Sequence, residues 1–277
     1  MRLDDLRPTD NADDRRGGGF RPGLMGGGGL GLVGIVVLSL LFGVDPAQLL
    51  GAMEGGPVAV QQGGGPRPDD AAYEFSRRII GSAEDVWTPI LHAQGVAFQP
   101  ATFTVYDYAT PTGCGTGQSS AGPFYCPADA HIYMDLGFFD ELGSRFGAPG
   151  DFARAYVIAH EYGHHIQNLL GTMARYSSRE RGAQSASVRI ELQADCYAGV
   201  WAHHANRKFR ILETGDVEAG LRAAAAVGDD TLGKQSQGYA VPDSFTHGTS
   251  QQRMTWFRHG LDSGDVGACQ TFSAATL

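Results

Sequence analysis

The sequence lacks an excess of positive charge. Its 277 residues include 21 Lys and Arg against 30 Asp and Glu, which gives a formal net charge of −9. A dedicated nucleic-acid-binding protein would normally present a basic face, and no long block of like charges occurs in this chain. We therefore expect no nucleic-acid partner.

Cysteine is scarce as well, with four in the whole chain. An even number of cysteines in an exported domain indicates disulfides, although four cysteines permit three pairings. Cys114 and Cys126 bracket a short loop, which favours a local bridge, and Cys196 with Cys269 would then tie the C-terminal segment to a central helix. Four unpaired thiols are the alternative.

Long apolar runs are absent with one exception. Residues 24–44, LMGGGGLGLVGIVVLSLLFGV, contain no charged residue. About 20 such residues are enough for a helix to cross a bilayer, so we predict one transmembrane helix over this run. A cleaved signal peptide is the competing interpretation, but no small-residue cleavage site follows. A buried core helix is disfavoured because Gly- and Pro-rich stretches flank the run on both sides.

The cations around this run predict its orientation. Arg15, Arg16 and Arg21 precede it, whereas the first cation after it is Arg67. The positive-inside rule then places the N-terminus in the cytoplasm. Everything after Val44 would lie outside a plasma (inner) membrane that the chain crosses once.

Composition divides the rest of the chain into three regions. Residues 1–23 are polar and Gly-rich and predict a disordered cytoplasmic tail. Residues 45–70 are rich in Gly and Pro and predict a flexible linker. An apolar fraction of 42% is enough for a globular core, which we place in a domain over residues 71–277.

Within this domain, short predicted strands are followed by long predicted helices. After a first helix, residues 101–108 alternate in polarity and are rich in β-branched and aromatic side chains, and two more short strands lie before residue 136. Helical spacing then covers residues 150–171 and a second long segment from about residue 184. This order predicts an α+β fold, with a small N-terminal antiparallel sheet and a helical core.

The stretch VIAHEYGHHIQ, residues 157–167, contains three histidines. Successive helical residues turn by about 100°, so His160 and His164 share one face with Glu161 beside them, while His165 points away. This is the H-E-x-x-H pattern, in which two imidazoles bind zinc and the glutamate acts as general base. A helix that is merely rich in histidine is the alternative.

A hydrolytic zinc site needs a third protein ligand and one open position. The metzincin pattern would supply another histidine, but Gln167 and Leu170 occupy its last two motif positions. The segment ELQAD instead places Glu191 and Asp195 one turn apart on one helix face. We predict Glu191 as the third ligand and Asp195 as the acceptor for the spare N–H of a liganding histidine. For Glu191, an ordinary solvated carboxylate is the alternative.

An H-E-x-x-H motif followed by E-x-x-x-D resembles the gluzincins, the thermolysin-type class of zinc peptidases. The segments HEYGHH, ELQADCYAGVWA and DSFTHGTSQQRMTWFRHG together resemble the bacterial neutral zinc metallopeptidases, which are membrane-anchored, over residues 69–267. The resemblance implies a zincin-like fold with helices around one catalytic Zn²⁺.

The segment THGTSQQR is similar to a Thr-His-Pro segment of another class of membrane peptidases, with Gly248 in place of the proline. By that resemblance, His247 is a catalytic residue that would polarise the substrate carbonyl or stabilise the oxyanion. A capping or packing histidine is the alternative.

Together these observations predict a membrane-anchored zinc endopeptidase that cleaves a peptide or protein substrate. Glu161 would take a proton from a zinc-activated water and deliver it to the leaving amine. Residues His131 to Asp135 form the candidate edge strand against which an extended peptide would lie. The alternatives are a catalytically silent zinc-binding envelope protein that acts as a binding module, and an envelope interaction module stapled by disulfides.

Overall fold

The computed structural model describes residues 1–17, 70–176 and 180–277. Met1–Arg15 belongs to the same compact unit as the C-terminal part of the chain. In chain order, the strands and α-helices of the described residues are β1 (Ala12–Asp14), α1 (Ala71–Ala93), β2 (Thr102–Val105), β3 (Ala109–Thr112), β4 (Gly115–Gln118), β5 (Phe124–Cys126), β6 (His131–Met134), α2 (Phe138–Ser144), α3 (Asp151–Leu169), α4 (Thr172–Tyr176), α5 (Ala186–Phe209), α6 (Asp216–Ala226), α7 (Asp229–Gln237) and α8 (Ser250–Ser263).

Four strands form a mixed sheet in the order β1-β2-β6-β5, and β3 pairs with β4 in a separate hairpin. Strands β1, β2 and β6 run parallel, whereas β5 is antiparallel to β6. The predicted α+β fold is confirmed. We expected an antiparallel sheet, but the main sheet contains parallel pairs as well. Its parallel pairs arise because the chain leaves β2, forms the hairpin and β5, and only then returns through β6, and because β1 comes from the N-terminus.

The first residues of the chain pack against the domain. Leu6 is only 2% exposed and belongs to the main hydrophobic core. The backbone N–H of Phe103 donates to the carbonyl of Asn11 at 2.8 Å, and β1 extends the sheet beside β2. The prediction of a disordered tail is therefore wrong for residues 1–17, because burial of Leu6 and strand pairing hold them in place.

This strand pairing also restricts which residues a membrane can separate. Because β1 and β2 lie in one sheet, Met1–Arg15 shares a compartment with the domain wherever the sheet is formed. A cytoplasmic tail opposite an extracytoplasmic domain is incompatible with that pairing. The predicted transmembrane helix, residues 24–44, and nearly all of the predicted linker lie outside the described residues. Among the residues that are described, no helix has the length and hydropathy needed to span a bilayer.

The helical layer is built around α5, which packs against both α3 and α8. Fully buried aromatic side chains fill the space between these helices: the Phe152 ring of α3 stacks with the Trp201 ring of α5 and also contacts the Phe257 ring of α8. The predicted long helices are thus confirmed as α3 and α5. Their packing brings the two motif-bearing segments of the sequence side by side.

Two glycines allow these helices to approach closely. A Cβ atom on Gly163, which lies inside the histidine motif, would be 2.8 Å from the carbonyl oxygen of Ala194 on α5. A Cβ atom on Gly260 of α8 would be 1.9 Å from the carbonyl oxygen of Cys196. A larger residue at either position would force the helices apart. The side chains that face one another across these helix contacts would then separate as well.

Both predicted disulfides are present. Cys114, in the β3-β4 turn, is bonded to Cys126 at the end of β5, with 5.8 Å between the Cα atoms. Cys196 of α5 is bonded to Cys269 in the C-terminal segment, with 5.7 Å between the Cα atoms. The four cysteines are therefore all paired, and the second bridge fixes the C-terminal segment beside α5.

Candidate metal centre

The structure brings the three predicted metal ligands together in one cluster. Nε2 of His160 lies 3.2 Å from Oε2 of Glu191, and Nε2 of His164 lies 3.6 Å from Oε1 of the same carboxylate. One donor atom from each residue lies within 4.8 Å of the other two. Ligands of a tetrahedral zinc ion lie about 3.3 Å from one another, so these separations suit Zn²⁺. Two imidazoles with one carboxylate are also a donor set found in hydrolytic zinc sites.

The other ring nitrogen of His160 is held by Asp195. Nδ1 lies 2.8 Å from Oδ1 of Asp195, and because a carboxylate only accepts, Nδ1 carries a hydrogen, which leaves Nε2 as the nitrogen that can bind a metal once it is deprotonated. Burial alone would lower the pKa of His160, but Asp195 outweighs it and raises this pKa to about 9. Burial would raise the pKa of Asp195, whereas Arg253 and His160 lower it to about 2. Asp195 is therefore a buried carboxylate in its ionised form.

His164 is oriented by a neutral partner. Its Nδ1 lies 2.9 Å from Oε1 of Gln167, one turn further along α3. The amide orientation of Gln167 follows from its other contact, because Nε2 donates to the carbonyl oxygen of Ile190 at 2.8 Å. Gln167 therefore accepts from Nδ1 of His164, and Nε2 of that ring faces Glu191. Both histidines thus present the same ring nitrogen to the cluster.

Glu161 is 8% exposed and lies beside the two histidines. Burial raises the pKa of this carboxyl above its usual range, and the neighbouring His160 and His164 oppose that rise. For Glu191, burial acts in the same direction, but the two histidines dominate and hold its pKa well below the usual range. The two carboxylates therefore differ in basicity.

His247 is fixed by Asp229, a residue at the start of α7. Oδ2 of Asp229 accepts the backbone N–H groups of Thr246, His247 and Gly248, at 2.7, 2.7 and 3.0 Å. Nδ1 of His247 lies 3.1 Å from Oδ1 of the same carboxylate. This hydrogen bond raises the pKa of His247, and the residue lines the cleft.

His165 points away from the cluster, as its helical phase predicts. Its Nε2 donates to the carbonyl oxygen of Gln99 at 2.7 Å. The Tyr125 hydroxyl lies 3.1 Å from Nδ1 and accepts from the amide of Asn168. Burial lowers the pKa of His165, so a neutral ring links α3 to the neighbouring loop and to β5.

The cluster opens into a cleft of about 1000 Å³. The wall includes Phe124 and Tyr125 of β5 and reaches from α2 to α7. Strand β6, by contrast, lies between β2 and β5 and has partners on both edges. The prediction that His131 to Asp135 offer a free edge to a peptide is therefore wrong, because β5 pairs with the edge of β6 that would otherwise be free. Among the described strands, β5 is the one that ends the sheet on the side of the cleft.

Four residues with clear positions around the cluster were not predicted from the sequence: Tyr156, Gln167, Asp229 and Arg253. Gln167 could have been found, since it lies three residues after His164 on the same helix. Asp229 and Arg253 are on other elements and reach the site only through tertiary packing. For them, the sequence offered no spacing rule.

Two buried histidines close to one glutamate, with a second glutamate beside them in an open cleft, form a donor arrangement typical of the zinc sites of metallopeptidases. The chain belongs to the family described as "Putative neutral zinc metallopeptidase", whose sequence profile matches residues 1–272. The family resemblance seen in the sequence motifs is thereby confirmed.

Two relatives are similar to almost the whole chain. The protein named "Uncharacterized protein YpfJ" from Escherichia coli (strain K12) is 47% identical over a 288-residue alignment that covers 98% of this chain and 99% of the relative. "Uncharacterized protein Rv2575" from Mycobacterium tuberculosis (strain ATCC 25618 / H37Rv) is 40% identical over 260 residues, 86% of each chain. No solved structure is significantly similar to the chain.

Proposed function

We propose that this protein hydrolyses peptide bonds with a single Zn²⁺ held by His160, His164 and Glu191. The observation that carries the proposal is the position of Glu161, which is buried beside the three ligands yet lines the cleft. A structural zinc site would normally complete its coordination with a fourth protein ligand and would not need such a carboxylate. Among the described residues, the cluster comprises three donors.

Bound zinc would lower the pKa of a water molecule from 15.7 towards about 7 and would polarise the scissile carbonyl. Glu161 accepts the proton of the attacking water and then passes it to the leaving amine. Its raised pKa suits this exchange, because a general base works best when its pKa is close to the working pH. Asp195 and Gln167 keep the two histidines oriented throughout.

His247 is assigned to the substrate carbonyl. Asp229 accepts from Nδ1, so the protonated ring can donate from Nε2 to an oxygen that gains negative charge during attack. The raised pKa of His247 favours this donating form. A packing role fits less well, because half of the His247 side chain remains exposed and lines the cleft.

The proposed substrate is an extended peptide that lies along β5. An exposed strand edge can bind a peptide through backbone hydrogen bonds, and β5 combines an edge position with contact to the cleft. The cleft walls come from α2 as well as α7, which gives residues on either side of the scissile bond a surface to contact. This arrangement supports an endopeptidase within a zincin-like fold.

The proposed location of the domain is an oxidising compartment outside the cytoplasm. Two disulfides support it, since such bonds persist in exported proteins and are rare in the cytoplasm. Membrane attachment through residues 24–44 stays a prediction from hydropathy.

The test combines metal analysis with peptide cleavage on the full chain. Replacing one ligand at a time by alanine, in His160→Ala, His164→Ala and Glu191→Ala, should remove zinc. Glu161→Gln keeps the size of the side chain but cannot accept a proton, so zinc should stay while cleavage falls by about 10²–10⁴-fold. His165→Ala is the matched control on the same helix and should keep zinc and most of the activity.

A catalytically silent binding module is the second candidate, and the same variants decide between the two. A silent module would bind zinc and a peptide without cleaving the peptide. Neither the parent protein nor Glu161→Gln would then show turnover. Equal cleavage by the parent and by Glu161→Gln would contradict the proposed mechanism. Full zinc occupancy in Glu191→Ala would contradict the ligand set.

A further inference from the structure

Arg253 is an almost completely buried cation next to the metal centre. It lies on α8, is 3% exposed, and has part of its side chain in the cleft wall. Its Nε donates to Oδ2 of Asp195 at 2.8 Å, and Nη2 donates to Oδ1 at 2.9 Å. The guanidinium therefore grips both oxygens of the carboxylate whose Oδ1 also accepts from His160.

This two-point contact fixes the plane of the Asp195 carboxylate. A guanidinium has its donors in a rigid fork that matches the two oxygens of a carboxylate, whereas an ammonium group is a single point of charge. The Tyr156 hydroxyl donates to Oδ1 at 2.5 Å and completes the shell around Asp195. With both oxygens engaged, the carboxylate has one orientation in which Oδ1 meets Nδ1 of His160.

Arg253 also touches His160 directly. Nη2 lies 3.3 Å from Nδ1 and 3.4 Å from Nε2 of the imidazole, so the guanidinium lies against the ring. Nη1 donates to the carbonyl oxygen of Val227, the residue that follows α6, at 3.3 Å. The Arg253 side chain thus contacts His160, the carboxylate of Asp195 that holds His160, and Val227 in the cleft wall.

Helix α8, which carries Arg253, is held in place at both ends. The helix begins with a capping box, in which Thr249 and Gln252 exchange side-chain and backbone hydrogen bonds. Gly260 at its other end lies directly against the backbone of Cys196, the residue after Asp195. Both the donor and the acceptor of the ion pair are therefore held by close helix contact.

We propose that Arg253 is a positioning residue for the metal centre, which acts by holding Asp195 so that Nε2 of His160 faces the other two ligands. The proposal rests on the zinc site put forward above. Removing the guanidinium would leave Asp195 as a buried charge without its cation, free to turn toward other donors. When a metal-binding histidine loses the group that hydrogen-bonds its other ring nitrogen, metal affinity typically falls by about 10–100-fold.

The experiment measures zinc affinity of the full chain by competition with a chelator and records the visible spectrum of the Co²⁺-substituted protein. Arg253→Lys keeps the positive charge but loses the fork, and Arg253→Gln loses both. We expect zinc affinity to fall about 10–100-fold in each, with an altered Co²⁺ spectrum. Arg258→Gln, an exposed position on the same helix, is the matched control and should behave as the parent.

A double-mutant cycle separates positioning from simple stability. If Arg253 acts through Asp195, then Asp195→Asn with Arg253→Gln should bind zinc no more weakly than Asp195→Asn alone. The same double variant removes both buried charges and should melt at a higher temperature than Arg253→Gln, while zinc affinity stays low. Recovery of stability without recovery of affinity is the pattern that a structural role alone would not give.

Two results would overturn the proposal. One is parental zinc affinity and an unchanged Co²⁺ spectrum in Arg253→Lys, which would show that charge alone suffices. The other is full additivity of the losses in the double variant. A parent chain that binds zinc but cleaves no peptide would contradict only the peptidase function, whereas a parent that binds no zinc would contradict both.

Discussion

Oε1 of Gln167 accepts a hydrogen bond from Nδ1 of His164 at 2.9 Å, while the amide nitrogen of Gln167 donates to α5. We predict that Gln167→Leu, which removes the acceptor at similar volume, weakens zinc binding by about 10–100-fold. The physical reason is loss of the tautomer and ring orientation that present Nε2 to the metal. Chelator competition on folded protein measures the effect.

The exposed Gln251→Leu on α8 is the control for this substitution. Gln167→Glu adds a negative charge at the same place and should bind zinc better than Gln167→Leu, because the acceptor is restored. Equal affinity of Gln167→Leu and the parent would show that His164 needs no partner to bind metal.

Zinc affinity should depend steeply on pH. In the metal-free protein, burial lowers the pKa of His160, but Asp195 and Glu191 outweigh it and raise this pKa to about 9, so the ring is protonated at neutral pH and must lose that proton to bind a metal. We therefore expect affinity to rise about tenfold per pH unit between about pH 6 and pH 8. Asp195→Asn removes the partner and should flatten the slope. Constant affinity across this range would contradict the raised pKa.

The same shift has an opposite consequence for the metal-free fold. A pKa that is raised on folding stabilises the protein where the group is protonated. The contribution of His160 is therefore fully present below about pH 6.5 and is lost as the pH rises to about 9. Urea denaturation of the metal-free chain should show this decline, and the zinc-loaded chain should show much less of it.

The Asp229–His247 pair should affect turnover rather than metal binding. His247→Ala removes the donor to the developing oxyanion and should lower kcat by about 10²–10³-fold with zinc content unchanged. Asp229→Asn should lower kcat less, and the double variant should be no worse than His247→Ala, because Asp229 acts through His247. The exposed Asp243→Asn is the control. Loss of zinc in His247→Ala would contradict this division of roles.

How far sequence reasoning reached depended on the distance along the chain between the residues concerned. His160, Glu161 and His164 lie within one helical turn or so, and helix geometry alone placed them on one face. Glu191 and Asp195 could be paired with each other for the same reason. Their meeting with the histidines depends on close approach at Gly163, where a Cβ atom would be 2.8 Å from α5. No local sequence pattern predicts that α3 and α5 come this close.

Strand β1 escaped prediction for a related reason. It is three residues long and lies among charged and polar residues that resemble a disordered tail. Its stability comes from partners about 90 residues away, where Thr102–Val105 offers an edge. Arg253 was missed likewise, because it meets Asp195 only after α8 packs on α5.

The N-terminal segment should be part of the stable domain. The Leu6 side chain is 2% exposed in the core, and the hydroxyl of Thr9 donates to the buried carboxylate of Glu84 at 2.6 Å. Leu6→Ala should lower the free energy of unfolding by about 2–5 kcal/mol, as for other buried leucines. The exposed Asp5→Ala is the control and should change it little. Equal stability of Leu6→Ala and the parent would mean that this segment does not pack on the core.

The last prediction concerns sidedness. Because β1 pairs with β2, residues before Arg16 and residues of the domain should be accessible from the same side of any membrane. Single cysteines at exposed positions, Asp10→Cys and Asp262→Cys, can be labelled in intact cells with a membrane-impermeant maleimide. We expect both positions to react, or neither, before lysis. Labelling of Asp262→Cys alone in intact cells would restore the single crossing predicted from hydropathy and would require β1 to leave the sheet.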